Sequence, residues 1–176
     1  SVVVIEKGEP KSCNIVTSCE GKGKTFIMFS DDLDKALATF VLANGAAATG
    51  QKVTIFFTFW GLNVIKKLHK PNVEKDIFGK MFGMMLPSSS RKLKLSKMSM
   101  GGIGGKMMRY IMNRKGIDSL ESLRQQALEN GVEFIACQMS MDVMGVKQEE
   151  LLDEVTIGGV ATYMERADNA NINLFI

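Results

Sequence analysis

The chain has 176 residues and a formal net charge of +3, with 45% hydrophobic and 23% charged residues. These proportions belong to a globular domain with a core of its own and exclude intrinsic disorder, collagen-like repeats and a disulfide-dependent mini-fold. The basic excess is smaller than nucleic-acid-binding domains carry, so no nucleic-acid partner is expected. The richest apolar run, Val53–Trp60, is far short of the ~18 residues a membrane span needs, and it contains Thr54 and Thr58. Residues 1–22 read as an arm or linker, with a short strand at Val2–Ile5, no basic start and no long apolar run; a signal peptide is not expected there, and a reducing, cytoplasmic location is. Thr25–Phe29 is a compact apolar strand, and Ser30-Asp31-Asp32 is a helix-starting cluster after it. Leu33, Leu37, Phe40, Val41 and Ala48 recur at helical spacing up to Gly50. A second buried strand spans Lys52–Trp60, is broken by Gly61, and is followed by a short helix over 62–69.

Residues 70–105 form a long irregular segment with Pro71, Pro87, a Lys/Arg run at 91–97 and a Gly cluster at 101–105. Loops of this length inside compact domains serve function or move. Helices are expected over 106–113 and 119–130, the latter with Asp118 as N-cap and Glu121 at the third position. Val132–Cys137 is the third strand. A tight turn or short helix over 138–145, a helix over 147–152, a strand over 154–157, a helix over 158–167 and a strand over 170–176 complete the pattern. Strands alternating with helices predict an α/β sandwich with a mainly parallel sheet of about five strands in one domain, residues 23–176.

Sites in such sheets form at the carboxyl ends of strands, which selects Ser30, Asp31 and Asp32, then Trp60 and Gly61, then Cys137 with Gln138, Ser140 and Asp142. Cys137 is the leading candidate for chemistry. A thiolate facing the start of a helix is stabilised by free N–H groups, although free Cys is also a common buried core residue. The chain has three Cys and one His. The Cys spacings contain no CxxC and suit neither a disulfide framework nor a zinc site; the expectation is of no metal and no cofactor. Cys13 and Cys19 in the arm are secondary thiols. His69 at a Lys-rich helix end reads as solvated, which argues against Cys-His protease chemistry. Ser18–Thr25 (SCEGKGKT) imitates a phosphate-binding loop but has Ser in place of the first Gly, and its strand follows rather than precedes. Lys106, Arg109 and the lysines of 91–97 are candidates to stabilise an anion if the long segment folds over the site. The run itself reads by default as a solvated face, with a membrane-surface contact through 81–112 as a third reading. The 13 Met concentrate between Met81 and Met112, where a lid or subunit contact is expected.

Several stretches taken in order carry a resemblance: Lys24–Ala36, Asn44–Ala47, Val53–Asn63 (VTIFFTFWGLN), Lys80–Met108 and Ala136–Gly145 (ACQMSMDVMG). Over residues 24–176 the chain resembles the DsrE/DsrF-like sulfur-relay family, in the branch often described as DsrE-related or peroxiredoxin-like. The resemblance implies a flavodoxin-like three-layer sandwich that forms homo-oligomers. It also implies sulfur trafficking through a persulfide on the Cys of the ACQMSMD motif, which is Cys137. Its implied partners are a rhodanese, a TusA-type carrier or a coenzyme A disulfide reductase, and residues 1–22 could belong to such a fusion. The alternative is a binding module for an apolar ligand, a nucleotide or flavin, or a partner protein, with Cys137 structural.

Overall fold

The computed structural model describes residues 23–68, 80, 81, 84, 85, 87–97 and 103–176. The expectations for the 1–22 arm with Cys13 and Cys19, and for His69, lie outside these residues. Five strands, β1 (Gly23–Met28), β2 (Val53–Phe57), β3 (Glu133–Cys137), β4 (Thr156–Gly158) and β5 (Ala170–Phe175), form one sheet in the order β4-β3-β2-β1-β5. All four ladders are parallel. Among the described residues, the helices that accompany them are α1 (Leu33–Ala48), α2 (Ile103–Arg114), α3 (Leu120–Glu129), α4 (Gln138–Met144) and α5 (Val160–Asp168). No helix among the described residues is long and apolar enough to cross a membrane.

Alternation along each strand divides the side chains between two faces. Phe26, Met28, Ile55, Phe57 and Phe134 join Leu33, Phe40 and Ala43 of α1 in the main core. The Phe40 ring stands 6.5 Å from Phe57 and 5.8 Å from Phe134. The residues between them in sequence point the other way. Phe56, Ile135 and Cys137 form a second, smaller cluster with Tyr163 of α5. Thr25 meets the Tyr163 hydroxyl at 3.2 Å, and Glu133 accepts from Arg166 Nε at 2.9 Å. Helix α5 therefore covers the opposite face, as a right-handed crossover from β4 back to β5 requires when β1 to β4 progress the other way. Among the described residues, helices lie on both faces of the sheet, α1 on one and α5 on the other, which makes a three-layer α/β sandwich.

Several boundaries differ from the sequence expectation. β2 ends at Phe57 rather than Trp60, because Phe59–Ile65 winds into a 3-10 helix with Phe59 at φ 47°. Val41 is 56% exposed, since the core stripe of α1 runs through Leu33, Ala36, Phe40 and Ala43. The N-cap of α3 is Ser119, whose hydroxyl accepts from Ser122 N at 3.1 Å, whereas Asp118 lies one residue outside and accepts from Gln126. Lys24 and Thr25 of the phosphate-loop imitation are strand residues of β1. Within the methionine-rich stretch, Met112 is buried and Met108 packs on the core, while Met81, Met84, Met85 and Met107 are exposed.

Candidate functional site

The carboxyl edge of the sheet carries three groups of candidate residues. The first follows β1. Ser30 Oγ donates to Asp32 Oδ2 at 2.8 Å, and Asp32 pairs with Lys35 at 2.9 Å. Asp31 accepts from Asn63 Nδ2 at 2.9 Å. Asp31, Asp32 and Trp60 line one cavity of about 450 Å³ together with Met85, Pro87, Lys92, Lys94 and Leu95. The structure thus brings the loop after β1 and the turn after β2 into one site and adds the 91–97 run to it.

That run is not simply a solvated face. Leu93 is buried and Leu95 is half-buried, while Lys92 and Lys94 between and beside them are exposed. Leu33 N donates to Lys94 O at 2.6 Å, and Ser96 N donates to Asp34 Oδ1 at 2.9 Å. The backbone of the run is clamped across the start of α1, with apolar residues as anchors. Two leucines at alternate positions within a charged run were the available signal in sequence.

Burial pushes the Asp31 carboxyl up from its usual value; the hydrogen bond from Asn63 opposes this and the neighbouring Asp32 charge adds to it. The folded state therefore favours the protonated form. Its contribution to stability is fully present below the unfolded-state value and is lost as pH rises through the folded-state value. Replacing Asp31 with Asn, which keeps an acceptor for Asn63, is expected to raise the melting temperature at pH 7 and leave it nearly unchanged at pH 3. Melting curves at both pH values check this, and equal gains at both would show that ionisation is not the cause. Asn63 is fully buried, and its Oδ1 has no partner among the described residues. Sequence reasoning passed over it, although an amide inside the apolar stretch Gly61–Ile65 is the kind of buried polar group that calls for a role.

The second group surrounds Cys137. It caps α4 by position and is 2% exposed, among Phe56, Ile135 and Tyr163. Cys137 also lies opposite Gly158 of β4. Ser140 is fully buried, and its hydroxyl meets Thr58 Oγ1 at 2.7 Å, which ties the end of β2 to α4. Gln138 and Asp142 are exposed and hydrogen-bonded to each other at 3.0 Å. An aromatic shelf lies along the same edge: Phe29 sits 5.5 Å from Phe59, 5.7 Å from Trp60 and 5.7 Å from Phe175. Gly61 packs directly against the Met28 carbonyl at the end of β1.

The third group is Lys106 and Arg109 on α2. They line a cavity of about 200 Å³ with Arg91, Lys92, Leu93, Lys94 and Gly105. Cys137 is not among the residues lining it, so these cations stand with the 91–97 run rather than with the thiol. Arg109 is engaged by Glu121 at 3.1 Å and by Ser90 O at 3.0 Å.

This sheet order, with candidate residues gathered at its carboxyl edge, defines an α/β domain of the kind that carries its chemistry on strand-end loops. A model of the DsrE/DsrF/DrsH-like family matches residues 21–175, and the chain belongs to that family. It is 44% identical over 155 residues to the protein YrkE of Bacillus subtilis (strain 168), covering 88% of this chain and 97% of that one. It is 38% identical over 161 residues to the sulfur carrier protein DsrE2 of Allochromatium vinosum, covering 89% and 99% respectively. The fold is shared with the crystal structure of the ychN protein from E. coli, at a TM-score of 0.52 and 11% identity over 88% of this chain and 99% of that chain.

Proposed function

We propose that the protein is a sulfur carrier that holds sulfane sulfur as a persulfide on Cys137 and relays it to a partner thiol. The observation that carries this reading is the alignment, over nearly its whole length, with a sulfur carrier protein. It is supported by the position of Cys137 at the carboxyl end of a central strand. The transfer is an exchange at sulfur. The Cys137 thiolate attacks the outer sulfur of a donor persulfide R–S–SH, the donor S–S bond breaks, Cys137–S–SH forms and R–S⁻ leaves. Delivery is the same step run toward the acceptor thiolate. With Cys137 2% exposed, the donor reaches its thiol only when the edge beside α4 or α5 opens. When closed, the apolar surroundings of Phe56 and Tyr163 shield the persulfide from water and oxidants. Rhodanese-type, TusA-type and coenzyme A disulfide reductase-type proteins are the proposed exchange partners, with the carrier itself a homo-oligomer.

The experiment is intact-mass measurement after incubation with polysulfide, or with thiosulfate and a rhodanese. A Cys13→Ser/Cys19→Ser double variant is expected to gain sulfur on Cys137. Adding Cys137→Ser is expected to abolish that gain, and sulfur uptake by the triple variant equal to that of the double variant would sink the assignment. The burial of Cys137 also favours a second reading, a binding module in which the thiol is structural. Native alkylation separates the two: a carrier site labels slowly but measurably through opening, whereas a structural thiol labels only upon unfolding.

A further inference from the structure

The two cavities at the 91–97 run are neighbours, since Lys92 and Lys94 line both. Lys92 and Lys94 are their common wall, and taken together as one trough they have opposite ends of different character. At one end Arg91, Lys92, Lys94 and Lys106 converge, and no carboxylate among the described residues lines that cavity. None of these four cations has an ion pair among the described residues, whereas Arg109 beside them is already neutralised by Glu121. Cations held together without counter-charge repel one another, and a bound polyanion removes that repulsion. The backbone of the run is preorganised, because Lys94 O and Ser96 fasten it to α1, Leu93 is buried in the core and the Leu93 carbonyl lies close to Gly105 of α2. At the other end stand the half-exposed Trp60 ring and the carboxyls of Asp31 and Asp32. That end repels phosphate, offers a face for stacking and accepts hydrogen bonds from N–H or hydroxyl groups. The trough also opens beside β1, the strand at which the sheet order reverses between β2 and β5.

We propose that this trough binds a nucleoside phosphate, its phosphates among Arg91, Lys92, Lys94 and Lys106 and its base and sugar against Trp60 and Asp31. The assignment is independent of whether Cys137 carries sulfur. A bare oxyanion, whether pyrophosphate or a sulfur oxyanion such as thiosulfate, would use only the basic end, so the two halves of the trough can be tested separately.

Trp60 is the only Trp in the chain, so intrinsic fluorescence reports on the trough directly. Titration of the full chain with ADP is expected to give a saturable change in Trp60 emission. Calorimetry at fixed ionic strength is expected to rank ADP above both pyrophosphate and thiosulfate. A Lys92→Glu/Lys106→Glu variant should bind ADP at least about tenfold more weakly, the scale of losing charge-assisted hydrogen bonds. Lys97→Glu makes the same kind of charge change outside the trough and should bind like the unaltered protein; melting curves verify that both variants are folded. Absence of saturable ADP binding up to millimolar concentration would overturn the proposal. So would ADP binding no tighter than pyrophosphate or thiosulfate, or equal losses in the Lys92/Lys106 and Lys97 variants.

Discussion

Replacing Gly61 with Ala is expected to destabilise the protein by about 3–5 kcal/mol, the range of severe overpacking against an element that cannot yield. A Cβ at this position would lie 2.0 Å from the Met28 carbonyl oxygen and 2.8 Å from its carbon. Those are backbone atoms of the interior strand β1, so relief by a side-chain rotation is not available. The turn would have to lift from the sheet and lose the bonds that hold it, Gly61 N to Phe29 O at 2.9 Å and Thr58 N to Met28 O at 3.1 Å. For a chain of this size the loss corresponds to a melting temperature lower by roughly 6–20 °C. Trp60 and Asn63 move with the turn, so Trp60 emission should change as well. Gly45→Ala is the matched control. Nothing lies within 4 Å of the added Cβ there, and the residue is inside α1. It should stabilise by about 0.5–1 kcal/mol through helix propensity. A Gly61→Ala protein that melts like the unaltered one would show that the turn can shift at little cost.

Arg124→Ala is expected to cost about 3 kcal/mol, from two backbone acceptors left unpaired in the interior and from the space vacated. Arg124 is 4% exposed and reaches from α3 to the end of the 3-10 helix, where Nη1 donates to Val64 O at 2.7 Å and to Lys66 O at 3.3 Å. Burial pushes its guanidinium down from the usual value, while Glu121 and Glu154 favour the charged form. A guanidinium remains charged throughout the accessible pH range, so this linkage holds from acid to alkaline conditions. Arg124→Leu fills part of the space but supplies no donor, and it should recover only a minor part of the loss. Denaturant unfolding of the two variants tests this; full recovery in the Leu variant would assign the effect to volume rather than to hydrogen bonding.

These two positions also show where local sequence signals stop. The helix α1 was legible because Leu33, Phe40 and their neighbours recur at helical spacing after Ser30-Asp31-Asp32. Val41 was misread because spacing allows a wide stripe, while contact with Phe57 and Phe134 selects a narrow one. The run from Thr58 to Trp60 has strand-favouring residues and reads as a continuation of β2. It turns instead because Thr58 and Gly61 bond back to the backbone at the end of β1, a contact between segments about 30 residues apart. The strand-end candidates Asp31 and Trp60 were identifiable from sequence, since site placement in a parallel sheet follows from strand ends alone. Their meeting with Lys92 and Lys94 was not, since it depends on how a long irregular segment returns to the sheet.

The amino-acid sequence by itself determined the alternation of strands and helices, the family, and the strand-end position of Cys137. Each of these rests on short-range periodicity, turn chemistry or motif order. Tertiary structure alone decided that the Cys137 side chain faces α5 among Phe56 and Tyr163, that Asp31 is buried enough to hold its proton more tightly, and that Lys106 joins the 91–97 run. Burial, charge proximity and cavity shape come from residues far apart in the chain, and their energies exist only once those residues are packed together.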